Sequence, residues 1–178
     1  LVFIKNSMKI KILPIFVILF FVSIFFAFYK GLDDSNIYTP DVNKKNIPIF
    51  QTKNFYSGKS LESSNIFEVD KTYLLNIWSS WCLPCRQEHS LLMSLKLNSE
   101  INIIGMNYKD NKKNAKNFLK ELGNPYKDIF VDSDGTIAIE WGAYGVPESF
   151  LIYNNKIIKK YIGPLNEELI NEMRILIK

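Results

Sequence analysis

Two cysteines and one histidine are the only thiol and imidazole ligands in this chain of 178 residues. Two thiols make one disulfide at most, so the chain is not a disulfide-stapled scaffold. A closed zinc site needs two ligands beyond the cysteines, and only His89 is available. Covalent c-type haem attachment needs a histidine directly after the second cysteine, and Arg86 stands there. A surplus of charge is also missing where it would matter. The formal charge is +4, yet Lys5, Lys9, Lys11 and Lys30 lie in or beside the N-terminal apolar stretch. Without those four, 18 basic residues face 18 acidic ones from Gly31 onward. No basic footprint of the kind nucleic-acid binding requires remains. Repeats and low-complexity tracts are absent too.

Long apolar runs are present. The stretch 12–29 is uncharged and interrupted only by Pro14 and Ser23. As a helix it spans about 27 Å, slightly under the hydrocarbon thickness of about 30 Å. Lysines precede it and Asp33 and Asp34 follow, which directs the N-terminus to the cytoplasm. A cleaved signal peptide is the rival reading, but Phe25-Phe26-Ala27-Phe28-Tyr29 lacks the small residues a cleavage site needs. The expected order is a cytoplasmic N-terminus (1–11), a transmembrane anchor (12–29), a flexible tether (30–45) and a folded domain outside the inner membrane (46–178). Met8-Lys9-Ile10-Lys11 makes a conventional start, so the expected first residue is Met8.

Within the domain, 47–67 alternates short apolar pairs with turn residues, which predicts a hairpin and a brief helical turn. Tyr73 to Ser79 reads as a buried strand, Cys82 to Leu97 as a helix, and Ile101 to Met106 as a second buried strand. Lys112 to Leu122 is helical, with Ala115, Phe118, Leu119 and Leu122 on one face. Gly123 ends it and Pro125 prevents its return. Ile129 to Val131 is a short strand and Ile137 to Trp141 a short helix. Strands Ser149 to Tyr153 and Lys156 to Ile162 join across Asn154-Asn155, a type I′ signal. The last helix, Asn166 to Ile177, turns Leu169, Ile170, Met173, Leu176 and Ile177 inward. The result is an α/β fold, a mixed sheet with helices on both faces.

The two cysteines, Cys82 and Cys85, are spaced C-x-x-C where a strand gives way to a helix. Free backbone N–H groups and the helix dipole favour a thiolate at that point. The first sulfur is expected exposed and reactive, the second one turn inside, close enough to displace it. Lowering a thiol pKa from about 8.5 to about 7 raises the thiolate fraction at neutral pH roughly 16-fold. Falling nucleophilicity reduces the net gain to about 3-fold, so exposure and docking must direct the reaction. Thiol–disulfide exchange is the leading reading; a metal site and a structural bridge are the others. Glu88, one turn beyond Cys85, either accepts the proton Cys85 must lose or is a solvated helix charge. His89 reads as a partly buried helix residue. Val146-Pro147-Glu148 is either a cis-proline loop that offers Val146 to a bound peptide or a plain strand boundary.

At these residues the chain resembles the thioredoxin superfamily, and within it the CcmG/DsbE group of cytochrome c biogenesis. The blocks that carry the likeness are 75–82 around Trp81-Cys82, Arg86-Gln87-Glu88-His89, 105–110, 119–126 and 142–152. The resemblance implies a thioredoxin-like domain behind one N-terminal anchor in the inner membrane, facing the periplasm. It implies a reductase that keeps the cysteines of apocytochrome c, or of a CcmH-type partner, reduced. Its electrons would come from a DsbD- or CcdA-type transmembrane protein. It requires no cofactor beyond the Cys82–Cys85 redox pair. By position, Cys82 is the nucleophile, Cys85 resolves, Pro147 is the cis-proline, and Glu88 and Glu148 are acidic residues near the thiols. Trp81, Val146, Pro147 and Glu148 are then the substrate-binding residues. Leu83, Ser149 and Trp141-Gly142-Ala143 depart from the family pattern. Glu88, Asp132, Asp134 and Glu148 are expected to form an acidic rim that favours lysine-rich segments. A TlpA/ResA-type reductase, a disulfide-forming oxidase and a thioredoxin-fold copper chaperone are the alternatives.

Overall fold

The computed structural model describes residues 9–33, 45–98 and 101–177. The chain divides into two compact units, 1–39 and 40–178, each described by itself.

The first unit contains α1, Lys9–Asp33, which encloses the predicted anchor and carries Pro14 near its start. Side chains are described from 14 to 30. Among the described residues no helix is long and apolar enough to cross a membrane. Most of the predicted tether lies outside the described residues.

The second unit is built on a seven-stranded sheet of order β2-β1-β5-β4-β3-β6-β7. Its strands are β1 (Gln51–Asn54), β2 (Ser60–Glu62), β3 (Thr72–Trp78), β4 (Asn102–Tyr108), β5 (Asp128–Asp132), β6 (Glu148–Tyr153) and β7 (Lys156–Ile162). β3, β4 and β5 are parallel to one another; β6, β7, β1 and β2 join antiparallel. The helices are α2 (Leu83–Asn98), α3 (Lys112–Leu122), α4 (Thr136–Glu140) and α5 (Glu167–Leu176).

β3 shows why the sheet is central. Its side chains alternate between two apolar layers, Leu74 and Trp78 on one face and Tyr73, Leu75 and Ile77 on the other. The first layer is closed by α2, α3 and α5 through Leu92, Phe118 and Met173; the second is closed by α4 through Ile137 and Ala138. Asn76 falls on the first face and is fully buried among these apolar residues. A neutral amide at that depth must be hydrogen-bonded, and its partners define the site described below.

Local rules hold where they are local. Asn111 caps α3 by accepting from the N–H groups of Lys113 and Asn114, and Gly123 ends it at φ 91°. Asn154 and Asn155 have φ of 49° and 57°, the left-handed pair a two-residue hairpin needs. The apolar face of α5 differs from expectation. Ile170 and Met173 are buried, but Leu176 is 45% exposed. At about 100° per residue, Leu176 lies roughly 120° around the helix from Ile170, while Ile177 returns to within about 20°.

Candidate active site

Cys82 is the residue before the first turn of α2, and Cys85 is the third residue of that helix. The Cys85 N–H donates to Cys82 Sγ at 3.1 Å, so the sulfur takes the place of a capping side-chain oxygen. This is the physical form of the expected thiolate site: an N–H that the helix leaves free is aimed at the reactive atom. The two sulfurs are bonded, with Cα atoms 5.3 Å apart. Pro84 costs the helix nothing here, because a first-turn N–H has no intrahelical partner.

The expected contrast in exposure is not found in this oxidised state. Both cysteines are buried, at 4% and 2% exposed. Their neighbours Trp81 and Leu83 are open instead, at 60% and 66%. A partner disulfide therefore meets an apolar rim before it meets sulfur.

The turn before the cysteines is held from the side. Ser80 donates through its N–H (2.6 Å) and its hydroxyl (2.7 Å) to the Asp110 carboxylate, which also accepts from Asn107 Nδ2 at 3.0 Å. Trp81 Nε1 donates to the Lys109 carbonyl at 3.1 Å. Asp110 is a positioning residue that sequence reasoning did not single out, although it closes the matching block 105–110.

Glu88 is not a solvated helix charge; it is 1% exposed. One oxygen accepts from Asn76 Nδ2 at 2.8 Å and the other from the Leu165 N–H at 2.7 Å. Asn76 in turn donates to Ser149 Oγ at 3.0 Å and accepts from the Tyr126 hydroxyl at 2.9 Å. The Tyr126 proton fixes which end of the amide is the acceptor, and so turns the NH2 toward Glu88. Burial pushes the Glu88 carboxyl up to about 7, against the two hydrogen bonds that favour its ionised form. Burial and the nearby Glu88 charge push the Tyr126 phenol well above its ordinary value. Ser149, Tyr126 and Leu165 were not identified as site residues from sequence, although Tyr126 closes the block 119–126 and Ser149 lies within 142–152; nothing marks Leu165.

His89 is a helix residue as expected from sequence, but buried more deeply than expected, at 2% exposed. Its ring packs edge-on against Phe118, with centroids 5.0 Å apart, and its Nε2 lies 2.9 Å from the Gly123 carbonyl. That nitrogen must carry a proton to make the bond. Burial lowers the pKa of the ring.

The Val146–Pro147 peptide bond is cis. Pro147 and Glu148 are buried and Val146 is half-buried. Glu148 opens β6 and pairs Ile77 of β3, the strand that leads into the cysteines.

The expected acidic rim is not there. Asp132 is 1% exposed and accepts from Gly135 N (3.0 Å), Ile137 N (3.3 Å) and Ala138 N (2.9 Å), pinning the start of α4. Burial raises its pKa against those bonds. Glu88 and Glu148 face inward as well, and Glu148 Oε2 lies 2.8 Å from Lys160 Nζ. Only Asp134 is exposed, and it accepts from the Thr136 N–H at 2.9 Å. Carboxylates near helix starts and loops find backbone N–H donors, and those donors draw them in. Among the described residues no group of three His, Cys, Asp or Glu side chains is placed to hold a metal ion.

A dithiol–disulfide pair at a helix start, with a cis-proline at the head of the strand that pairs β3, defines a thioredoxin-fold thiol–disulfide oxidoreductase. Comparison with known proteins agrees. The Redoxin family pattern matches residues 42–174. The chain is 50% identical over 95 residues to the thiol:disulfide interchange protein CycY of Rhizobium leguminosarum bv. viciae, covering 53% of this chain and 51% of that protein. It is 37% identical over 144 residues to the thiol:disulfide interchange protein DsbE of Escherichia coli (strain K12), covering 80% of this chain and 77% of that one. In fold it superposes on a DsbF homologue from Corynebacterium diphtheriae with a TM-score of 0.65 at 20% identity, over 80% of this chain and 95% of that structure. This chain belongs to the redoxin family, and within it to the DsbE-type thiol:disulfide interchange proteins.

Proposed function

We propose that this protein is a membrane-anchored, periplasmic reductase of c-type cytochrome maturation. It keeps the haem-site cysteines of apocytochrome c, or those of a CcmH-type partner, in the dithiol form. The 37% identity to DsbE over 144 residues, together with this chain's own Cys82–Cys85 pair, carries this reading. The uncharged apolar run 12–29 of the sequence supports the anchor, and the flanking charges support a domain outside the inner membrane. A DsbD- or CcdA-type transmembrane dithiol would return the electrons. No nucleic acid is involved.

The reduced protein acts in two steps. Cys82 thiolate attacks one sulfur of the partner disulfide; a mixed disulfide forms and the partner's other sulfur leaves as thiolate. Cys85 then loses its proton to Glu88 and attacks Cys82 Sγ, which closes the Cys82–Cys85 disulfide and expels the partner's second thiolate. Two electrons pass to the partner, whose thiolates take up protons. Glu88 is suited to the second step because a carboxyl with a pKa of about 7 is part ionised at neutral pH.

Cys85→Ser in the full chain should accumulate a mixed disulfide with apocytochrome c or a CcmH-type protein. Deleting the gene should abolish haem-bearing c-type cytochromes, with rescue by an added small thiol reductant. An empty trap together with normal cytochromes would sink the reading.

A further inference from the structure

Lysine is the residue least expected inside a sheet. Yet the Lys160 side chain on β7 is only 7% exposed, and its partner Glu148 only 3%. A buried ion pair needs further contacts around it, and here most of them come from one loop, although Glu148 Oε2 makes no directional hydrogen bond and Lys160 also faces the Phe150 ring on β6. Lys160 Nζ lies 2.8 Å from Glu148 Oε2 and donates to the Gly142 carbonyl at 2.7 Å. It also stands 4.2 Å from the centroid of the Tyr144 ring. Glu148 Oε1 accepts from the N–H groups of Tyr144 (2.6 Å) and Gly145 (3.0 Å). One ion pair thus fastens the segment 142–148 at its beginning, its middle and its end. Val146 and Pro147 hang between those fastenings, and the Gly163 N–H holds the Pro147 carbonyl at 3.0 Å.

We propose that Lys160, acting through Glu148, is the positioning residue of the Val146–Pro147 segment. It thereby determines how well an extended cysteine-bearing peptide is held against Cys82. This rests on the functional reading above. Neither side chain touches a reacting atom. Glu148, neutralised by Lys160 and turned inward, gives the rim no free negative charge. The substrate is accordingly chosen by its backbone and by apolar residues beside its cysteines, which meet Trp81, Leu83 and Tyr144, each more than half exposed. A lysine-rich segment gains nothing from Glu148.

The test uses the reduced full chain and two oxidants, an oxidised Cys-x-x-Cys-His peptide and bis(2-hydroxyethyl) disulfide, which has no peptide backbone to dock. Lys160→Met should raise KM for the peptide and lower its kcat/KM by about 10- to 100-fold, the usual effect of a small misplacement. The rate with the small disulfide and the reduction potential should not move. The double variant Glu148→Gln with Lys160→Met removes both charges and keeps an oxygen for the two N–H groups; it should regain part of the peptide rate. Amide exchange on the unmodified protein provides a readout that needs no variant: Tyr144 and Gly145 should be strongly protected. Fast exchange at both amides overturns the proposal. So does an equal loss with both oxidants, or unchanged peptide kinetics in Lys160→Met. If the unmodified chain reduces no peptide disulfide, the functional reading fails and this inference falls with it. If that chain is active and Lys160→Met is equally so, this inference falls alone.

Discussion

Replacing Glu88 by glutamine tests whether the buried carboxyl is the proton acceptor of the site. In the folded chain its pKa is raised from 4.5 to about 7, chiefly by burial. Between those values the folded state binds the proton and the unfolded state does not. Stability therefore falls as pH rises, and the loss is complete above the folded pKa. A shift of this size corresponds to a decline of about 2.5 kcal/mol between pH 5 and pH 8. Glu88→Gln cannot titrate, so the stability difference between variant and parent should move in the variant's favour by that amount over the same range. The absolute offset will not be zero. Glutamine offers one oxygen to two donors, Asn76 Nδ2 and the Leu165 N–H, and leaves one of them facing an NH2, at a cost of about 1–3 kcal/mol. The slope is thus the measurement, taken from urea titrations of the oxidised full chain at several pH values. Rapid mixing should also show resolution of a preformed mixed disulfide slowed by about 10²-fold or more at neutral pH, with the inflection near pH 7 gone. Parallel stability curves for variant and parent would show that Glu88 is not the titrating group. Unchanged resolution would remove it from the mechanism.

Asp132→Ala should unfold easily without harming the chemistry. It strips an acceptor from three N–H groups at the start of α4 and should destabilise by about 2–4 kcal/mol, read from denaturant midpoints. The reduction rate per folded molecule should be unchanged. Gly105→Ala should cost about 1–3 kcal/mol by overpacking, because a Cβ there meets Trp78 Nε1 at 2.9 Å and the Tyr126 ring at 3.0 Å. Displacement of Tyr126 should loosen Asn76, so the pH inflection assigned to Glu88 should shift in the same variant.

How much was legible in the sequence depends on the distance between partners. The Asn154-Asn155 turn, the Gly123 stop, the α3 face and β3 were readable because each is decided by residues within a few positions of one another. The C-x-x-C followed the same logic, since its chemistry comes from the helix start it occupies. Glu88 shows the limit. Spacing placed it one turn from Cys85 but left open whether it was solvated. Asn76, Tyr126 and Leu165 settle that, and they lie 12, 38 and 77 positions away.

The acidic rim failed for a related reason. Four carboxylates, only Glu88 of them near the motif in sequence, look like surface charge, and only the folded chain reveals the donors and the lysine that draw three of them inside. Lys160 gave no signal at all, being one of two adjacent lysines on a short strand. The sequence by itself determined the redox pair, the order of strands and helices, and the turns between them, because these rest on backbone preference and periodicity over short spans. Tertiary structure alone decided which charges are buried and with whom. That choice turns on desolvation and on donors brought together across the sheet, and neither exists until the chain has closed on itself.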